Sequence, residues 1–257
     1  MKLDRRYVDK PWGRTELPAV VDAPAGRKIG EVWFTGNADL PLLAKYIFTS
    51  ERLSIQVHPD EEQARTRGLA HGKSECWYIM DAEPGATVAL GIRHELSADE
   101  LRCSALDGSL EHLVDWHEVK RADFFYVPAG TIHAIGGGVA LLEFQQNVDV
   151  TYRLYDYGRP RELHLDDAVA VARRTPYPKE LARHVRPGEE RVLARGPPFA
   201  FVQARTDRFR DRRRWVIPLD GEVRSGDVAA KAGECLLLEP GEIMIADNAR
   251  MLIGAMA

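Results

Sequence analysis

The stretch Leu53-Ser54-Ile55-Gln56-Val57-His58-Pro59 alternates apolar and polar side chains. A period of two is typical of a β-strand, because successive side chains of a strand point to opposite faces of the sheet. Gln56 and His58 would then share one face, about 7 Å apart along the chain. Both are able to bind a metal ion, and a buried strand face does not normally carry three polar residues. We therefore predict that this face lines a metal-centred pocket.

The amino-acid composition is that of an ordinary globular protein, and the net charge argues against nucleic acid and membrane as partners. The chain has 257 residues, enough for one large all-β domain or two smaller ones, and its net charge of −4 favours neither nucleic acid nor membrane. No apolar run reaches the roughly 20 residues that span a bilayer, and the N-terminus lacks an apolar signal core. The three cysteines follow no disulfide pattern. These features predict a cytoplasmic protein with no obligate protein partner.

Two further segments predict polar groups on strands. Residues 73–80 alternate, so that Lys73 and Glu75 share a face with Trp77. Residues 123–127 lead through the turn Pro128-Ala129-Gly130 to an outgoing strand that carries His133. Imidazole and carboxylate groups together suit zinc and similar divalent metals. A single histidine on a strand is more often structural, but the joint pattern of Gln56, His58, Glu75 and His133 indicates a metal site.

Other segments predict local structure around these strands. Lys10-Pro11-Trp12-Gly13 has the composition of a turn. Lys45 interrupts an apolar run, either as a lysine at a strand edge or as a cation that faces the pocket. Ser97-Ala98-Asp99-Glu100 matches a capping box, so a helix begins there, and a second helix is predicted over residues 110–116. This helical insertion, near residues 97–116, would cover one end of the β-structure.

A faint internal repeat predicts two β-units. Phe125-Tyr126-Val127-Pro128-Ala129-Gly130-Thr131-Ile132-His133 aligns with Leu236-Leu237-Leu238-Glu239-Pro240-Gly241-Glu242-Ile243-Met244, and Met244 then stands where the first copy has His133. Chance similarity between two hairpins is the alternative. The predicted fold is mainly β, with two jelly-roll units of which the second is degenerate. We predict a metal-binding catalytic unit over residues 1–160, a connection over 161–190 and the degenerate unit over 191–257.

The arginine-rich segment 205–214 suggests an anionic partner or a solvated face. Its arginines alternate with Asp207 and Asp211, which favours the solvated face. We therefore predict no binding role for this segment.

The motifs together resemble a known family. Pro128-x-Gly130-x-x-His133 resembles the second motif of the cupin superfamily, although a usual cupin has a His-x-His pair closely followed by a Glu. The four motifs, in chain order, are Gln56-Val57-His58-Pro59, Gly72-Lys73-Ser74-Glu75-Cys76-Trp77-Tyr78, residues 127–134, and residues 145–156. In this order they resemble the type I mannose-6-phosphate isomerases, in their compact bacterial form. The resemblance runs from about Pro11 to Asp167, and the last third matches only in general character.

The resemblance implies a zinc-dependent enzyme that interconverts mannose 6-phosphate and fructose 6-phosphate. It assigns one Zn²⁺ per chain to Gln56, His58, Glu75 and His133. It places Arg153 on the active-site arginine of the family. It places Lys73, Asp149 and Lys45 on polar positions near the sugar. The phosphate needs a basic or hydroxyl-lined end of the pocket, for which Lys45, Ser54 and Arg153 are the candidates.

The chemistry of such a reaction fits these residue types. Removing a proton next to a carbonyl gives an enediol, whose developing oxyanion needs a nearby positive charge. A zinc ion and Arg153 would supply that charge. Lys73 and Asp149 are both candidates for the base, and the sequence does not decide between them. The metal has an alternative role, in which it mainly holds and orients the substrate.

Two other functions remain open at this stage. One is a non-catalytic sugar-binding cupin that kept its metal site, although such a protein would not need Lys73, Asp149 and Arg153 together. The other is an iron-dependent cupin oxygenase, which usually has two histidines and one carboxylate. Measuring which metal is bound would distinguish an iron oxygenase from the isomerase, and measuring turnover of the sugar phosphate would distinguish a binding protein from the isomerase.

Overall fold

The chain folds mainly into antiparallel β-strands, in a computed structural model that describes residues 1–36 and 40–257. The strands are β1 (Asp4–Arg14), β2 (Ile29–Thr35), β3 (Leu42–Phe48), β4 (Ile55–Val57), β5 (Glu75–Ala82), β6 (Thr87–Ile92), β7 (Val114–Glu118), β8 (Asp123–Val127), β9 (His133–Ile135), β10 (Val139–Gln146), β11 (Tyr152–Tyr155), β12 (Ala182–His184), β13 (Arg191–Arg195), β14 (Phe199–Ala204), β15 (Arg214–Ser225), β16 (Val228–Lys231), β17 (Leu236–Leu238) and β18 (Ile245–Met256). The helices are α1 (Glu61–Thr66), α2 (Ala98–Asp107), α3 (Leu110–Leu113), α4 (Leu165–Val171) and a 3-10 turn (Lys179–Leu181).

The strands form three sheets. A seven-stranded sheet has the order β1-β2-β3-β10-β5-β8-β12, and a five-stranded sheet has the order β11-β4-β9-β6-β7. The third sheet has the order β13-β14-β18-β15-β16, with β17 paired to β15. This mainly β, cupin-like architecture confirms the predicted fold class.

The seven-stranded sheet lies between the other two and is covered on both faces. On one face, Trp77 and Leu141 pack with Val88 and Ile135 of the five-stranded sheet. On the other face, Phe144 stacks on Phe201 of the third sheet, with ring centroids 5.0 Å apart. All residues of β3 and β10 are therefore buried. Two covered faces explain why these strands are nearly continuous apolar runs, and why the few polar residues in them stand out.

The packing between the first and second units depends on one small residue. A Cβ atom added at Gly254 of β18 would lie 2.2 Å from Cζ of Phe144. The aromatic ring thus occupies the space that any side chain at position 254 would need. Burying rings such as Phe144, Phe201 and Trp215 between the sheets supplies much of the hydrophobic stabilisation of this contact.

Two local predictions are wrong in ways that the sheet pairing explains. Pro11 lies inside β1 and not in a turn, because β1 is an edge strand and residues 10–13 fall in a register shift where a proline needs no ladder hydrogen bond. The helix predicted over residues 110–116 ends at Leu113, since Trp116 pairs with Ala89 in β7. A four-residue helix has little stability of its own, so strand pairing prevails.

The rest of the helical insertion matches its sequence signal. The Ser97 side chain accepts a hydrogen bond from the backbone of Glu100, and the Glu100 carboxylate accepts one from the backbone of Ser97.

None of the described helices is long and apolar enough to cross a membrane. The proposed domain boundaries stay a prediction. The connection itself packs on the first unit, because α4 contacts β11 and β12 pairs with β8.

The two copies of the predicted repeat have the same local structure. Gly130 and Gly241 both have a φ of 85°, a left-handed conformation that favours glycine. Val127 pairs with Glu75 in the first copy, and Leu238 pairs with Arg214 in the second. The second unit therefore has an arginine where the first has a carboxylate, and a methionine where the first has His133.

Arg214 differs from the other arginines of the segment 205–214. Five of them lie at the surface or near it, as predicted, whereas Arg214 is 0% exposed. Its Nε and Nη2 atoms each lie 3.0 Å from a carboxylate oxygen of Asp207. Its guanidinium also donates to the carbonyls of Glu239 and Glu242. A buried ion pair therefore anchors the turn of the second unit.

Replacing Arg214 with methionine is expected to destabilise the protein by about 3–5 kcal/mol, because the largely buried Asp207 would lose its two-atom contact with Arg214 and keep only the more distant Arg210 as a cationic partner. Arg213→Met is the matched control, since its partner Glu239 is exposed and such pairs contribute about 0–1 kcal/mol. Urea unfolding measures both differences. Equal free energies of unfolding for the two variants would show that the buried pair is not a stabilising feature.

Candidate metal centre and its pocket

The predicted ligands meet between two sheets. Gln56 lies on β4 and His58 directly after it, while His133 opens β9, which pairs with β4 so that Gln56 is opposite His133. Glu75 opens β5 of the facing seven-stranded sheet. His58, Glu75 and His133 are each 1% exposed. The structure therefore brings residues that are far apart in the sequence to one buried point.

Backbone contacts hold the ends of these strands together. The amide of Gly130 donates to the carbonyl of His58 at 2.8 Å, and the amide of Lys73 donates to the carbonyl of Pro59 at 2.9 Å. The amide of Ala129 donates to the Ser74 hydroxyl at 3.1 Å. The three ligand-bearing segments are thus fixed to one another before any ligand binds, which is what a preorganised site requires.

The distances within the cluster suit one shared cation. His58 Nε2 and His133 Nε2 each lie 3.5 Å from a carboxylate oxygen of Glu75. One ligand atom from each of these three residues lies within 4.8 Å of the others. The cluster can therefore bind a metal, and it is the group of this kind found in the described part of the chain.

The histidines offer the correct nitrogen and charge state. His133 Nδ1 lies 2.9 Å from the carbonyl of Thr131, to which it donates, so that Nε2 carries the lone pair. Burial and the Lys73 ammonium hold the pKa of His58 well below its usual range. Burial also lowers the pKa of His133, although the charge of Glu75 opposes this. Both imidazoles are neutral at pH 7, as metal binding requires.

Glu75 is held ionised by a neighbouring lysine. Burial alone would raise its pKa, but the Lys73 ammonium and then His133 bring the pKa below its ordinary value. Lys73 Nζ lies 2.7 Å from Glu75 Oε2 and 3.0 Å from His58 Nε2. Lys73 therefore occupies the cation position of the cluster, and a divalent ion would compete with it for the same carboxylate.

Gln56 lies beside the cluster as the fourth predicted ligand. Its Nε2 atom is 3.2 Å from His133 Nε2, and its Oε1 atom accepts a hydrogen bond from Ser54 at 3.3 Å. A half-turn of the amide exchanges these two atoms and turns the oxygen toward His133. The side chain can thus offer an oxygen ligand without any change in the backbone.

The other predicted residues line one pocket above the cluster. Lys45, Ser54, Lys73, Asp149 and Arg153 all contribute to its wall. Lys45 and Lys73 are buried, whereas Asp149 is exposed at the rim, in the loop between β10 and β11. The structure places every candidate residue in one site, while the role of each stays a prediction.

A charged network behind Lys45 was not predicted from the sequence. Lys45 Nζ lies 2.9 Å from Glu143 and 3.7 Å from Glu31. The indole of Trp77 donates to both Glu75 and Glu143, each at 3.1 Å. Burial and the charge of Glu75 raise the pKa of Glu143. The sequence did carry a sign of this network, because Glu143 and Gln145 are two residues apart on β10 and therefore face one side, as Gln56 and His58 do.

Comparison with known proteins supports the same assignment. The mannose-6-phosphate isomerase of Streptococcus mutans is 45% identical over 138 residues, which cover 51% of this chain and 43% of that protein. The mannose-6-phosphate isomerase of Bacillus subtilis is 44% identical over 138 residues, covering 51% of this chain and 44% of that protein. A crystal structure of the B. subtilis mannose 6-phosphate isomerase superposes with a TM-score of 0.80, at 25% identity, over 99% of each chain. The chain is thus similar to mannose-6-phosphate isomerases over 51% of its length in sequence and over 99% of its length in structure.

These similarities agree with the resemblance drawn from the four motifs. The matched sequence spans about half of the length of the curated relatives, so the activity of those proteins comes to this chain only as a proposal. No family model matches the chain.

Proposed function

We propose that the protein is a zinc-dependent aldose–ketose isomerase that interconverts mannose 6-phosphate and fructose 6-phosphate through an enediol. The observation that carries this proposal is the buried His58–Glu75–His133 cluster beside a pocket lined by paired lysine and glutamate side chains and by arginines. It occurs in a chain that is similar to mannose-6-phosphate isomerases. One small-molecule sugar phosphate is the substrate.

The donor set fits zinc. Two neutral imidazoles, one carboxylate and the amide oxygen available from Gln56 are nitrogen and oxygen ligands of the kind that zinc accepts. His58, Glu75, His133 and Gln56 would hold the ion. When bound, zinc supplies a Lewis acid that polarises the oxygens of the substrate.

The side chains of the pocket can carry the remaining chemistry. A proton leaves C2 of the aldose and is delivered to C1, while the O2 hydroxyl gives up its proton and O1 gains one. Arg153 lies opposite Gln56 on the paired strand β11, which supports the proposal that its guanidinium donates hydrogen bonds to the oxygen that becomes negative.

Lys73 is the better placed of the two candidate bases. Its Nζ atom contacts two ligand side chains directly, whereas Asp149 is exposed at the pocket rim. Proton transfer requires the base to reach the reacting carbons, which a metal-bound substrate would place near the ligands. We therefore propose that Lys73, in its neutral amine form, takes the proton from C2 and returns it to C1, and that Asp149 contacts the sugar.

The test of the proposed function is a coupled assay for fructose 6-phosphate formed from mannose 6-phosphate. We expect turnover that a chelator abolishes and that added zinc restores, with one zinc ion per chain by elemental analysis. A protein that is fully loaded with zinc and binds the sugar phosphate without turnover would instead be a non-catalytic sugar-binding cupin. Iron in place of zinc would favour an oxygenase.

Arg153→Ala is expected to keep the zinc content and to lower kcat/KM by about 10²- to 10³-fold, the usual effect of losing one donor to a developing oxyanion. Arg153→Lys keeps the charge but not the planar fork, so it should recover only part of the loss. Steady-state kinetics with elemental analysis measure both. An unchanged kcat/KM in Arg153→Ala would reject the role of this arginine.

A further inference from the structure

Each lysine in the wall of the pocket forms an ion pair with a carboxylate, whereas Arg153, also in the wall, has no such pair in the described part of the chain. Each lysine of the wall contacts its own carboxylate: Lys73 with Glu75 at 2.7 Å, Lys45 with Glu143 at 2.9 Å, and Lys10 with Glu31 at 3.4 Å. These three cations are already neutralised within the protein. A phosphate bound beside them would also face the three carboxylates, which would oppose its binding.

Arg153 has no carboxylate of its own in the described part of the chain. Its Nη1 atom donates to the carbonyl of Glu162 at 2.7 Å, and its Nε atom is buried without a hydrogen-bond partner. Arg153 and Arg161 line the same pocket, and burial and then the guanidinium of Arg161 lower the pKa of Arg153. Buried polar groups are normally hydrogen-bonded, so this end of the pocket lacks an acceptor.

Arg161 lines the same pocket and is held rigidly. Its Nε and Nη2 atoms donate to the two oxygens of Asp156 at 2.6 and 2.7 Å, a bidentate arrangement that fixes the guanidinium. Asp156 is 2% exposed, whereas the Arg161 side chain is 33% exposed. The buried carboxylate therefore presents a fixed guanidinium to the solvent-filled end of the pocket.

Arg159 shares the same carboxylate but points elsewhere. Its Nη2 atom lies 2.9 Å from Asp156 and donates to the carbonyl of Arg52 at 2.7 Å. Its guanidinium stacks on Tyr157, 5.5 Å from the ring centroid, and it is absent from the described residues that line the main pocket. One carboxylate thus serves two arginines, and Arg153 forms no salt bridge in the described part of the chain, with the exposed Glu162 and Asp149 as the other carboxylates near this wall.

The order of these groups matches the shape of a hexose 6-phosphate. The reacting carbons, C1 and C2, and the phosphate on C6 are at opposite ends of the sugar. Strand pairing places Arg153 beside Gln56, and Arg161 lines the same pocket as Arg153. A substrate with its reacting end at the metal ligands would therefore extend along this wall toward Arg161.

We propose that Arg161 binds the phosphate group of the substrate and that Asp156 is the positioning residue that holds it. This inference rests on the proposed isomerase function for the identity of the substrate. The anion site itself rests only on the placement of Arg153, Arg161 and Asp156.

The kinetic test compares Arg161→Ala with the matched control Arg159→Ala. Arg161→Ala should raise the KM for mannose 6-phosphate by about 10- to 100-fold with little change in kcat, as expected for a lost charged hydrogen bond that acts equally in ground and transition states. Its kcat/KM for unphosphorylated mannose should stay at the wild-type value. Arg159→Ala should change the KM for mannose 6-phosphate by less than about threefold. Equal KM values in the two variants would overturn the proposal.

Asp156→Asn tests the positioning role. We expect a raised KM for mannose 6-phosphate and an unchanged kcat/KM for mannose, because only the phosphate contact is disturbed. A general structural defect would instead lower turnover of both sugars to the same extent, and that result would overturn the role of Asp156.

Calorimetric titration with inorganic phosphate separates this inference from the proposed function. Phosphate binding to the wild-type protein that is lost in Arg161→Ala supports the anion site, even if mannose 6-phosphate is not turned over and the proposed function fails. Equal phosphate affinity in the wild type and in Arg161→Ala overturns the site, even if isomerase activity is established.

Discussion

Replacing His133 with alanine is expected to remove the bound zinc and to lower kcat/KM by at least about 10³-fold. The imidazole would supply one ligand nitrogen, and the contact of its Nδ1 atom with the carbonyl of Thr131 leaves Nε2 free to bind the metal. Loss of the metal removes several kcal/mol of charge stabilisation, and about 1.36 kcal/mol corresponds to a tenfold change in rate. Elemental analysis and the coupled assay measure the two effects on the same sample.

Met244→Ala is the matched control for this variant. Met244 is buried at the equivalent position of the repeat in the second unit, so its truncation also removes a large side chain after the same kind of turn. We expect a loss of stability of about 2–5 kcal/mol but full zinc content in the folded protein. If His133→Ala retained its zinc, or if both variants lost it equally, His133 would not be a ligand.

Lys73→Met is expected to abolish most turnover while leaving zinc in place. Proton transfer by a positioned side chain contributes about 10²- to 10⁴-fold, and kcat should fall by a factor in this range. Zinc affinity should stay equal or increase, because the ammonium lies 2.7 Å from Glu75 and competes with a divalent ion for that carboxylate. Competition against a fluorescent zinc chelator measures the affinity independently of turnover.

Lys10→Met is the control for Lys73→Met. Lys10 also lines the pocket, but it pairs with Glu31 and has no contact with the ligand cluster among the described residues. We expect less than about a tenfold change in kcat for this variant, since the partial exposure of Lys10 limits its electrostatic effect. A Lys73→Met protein that fails to bind zinc would contradict the account, because Lys73 would then be needed to build the metal site.

The sequence predicts the elements of the site better than their contacts. Alternation on residues 53–59 predicts that Gln56 and His58 share one face, and in the structure both lie at the ligand cluster. The prediction works because residues two apart in a strand always point to the same side. Nothing in the local pattern shows that Glu75 belongs to the facing sheet. The joint pattern of ligand types indicates one metal site, and the family resemblance adds to it, but the pairing of distant strands that brings the ligands together is not encoded in a short stretch of sequence.

Other features depend on tertiary context that the sequence does not display. Pro11 has turn chemistry, but its place in an edge strand makes a missing amide harmless. Arg214 belongs to a charged segment, and only the fold shows that it is buried against Asp207. The ion pairing of the pocket arginines likewise depends on the packing of the fold, because Arg159 and Arg161 share the single carboxylate of Asp156.

The most direct test of the metal centre is a crystal structure of the zinc-loaded protein with data collected above and below the zinc absorption edge. We expect one anomalous peak per chain, about 2.0–2.2 Å from Nε2 of His58, Nε2 of His133, a carboxylate oxygen of Glu75 and the amide oxygen of Gln56. The Lys73 ammonium should have moved away from Glu75. A peak elsewhere in the fold, or no peak after full zinc loading in solution, would contradict the account.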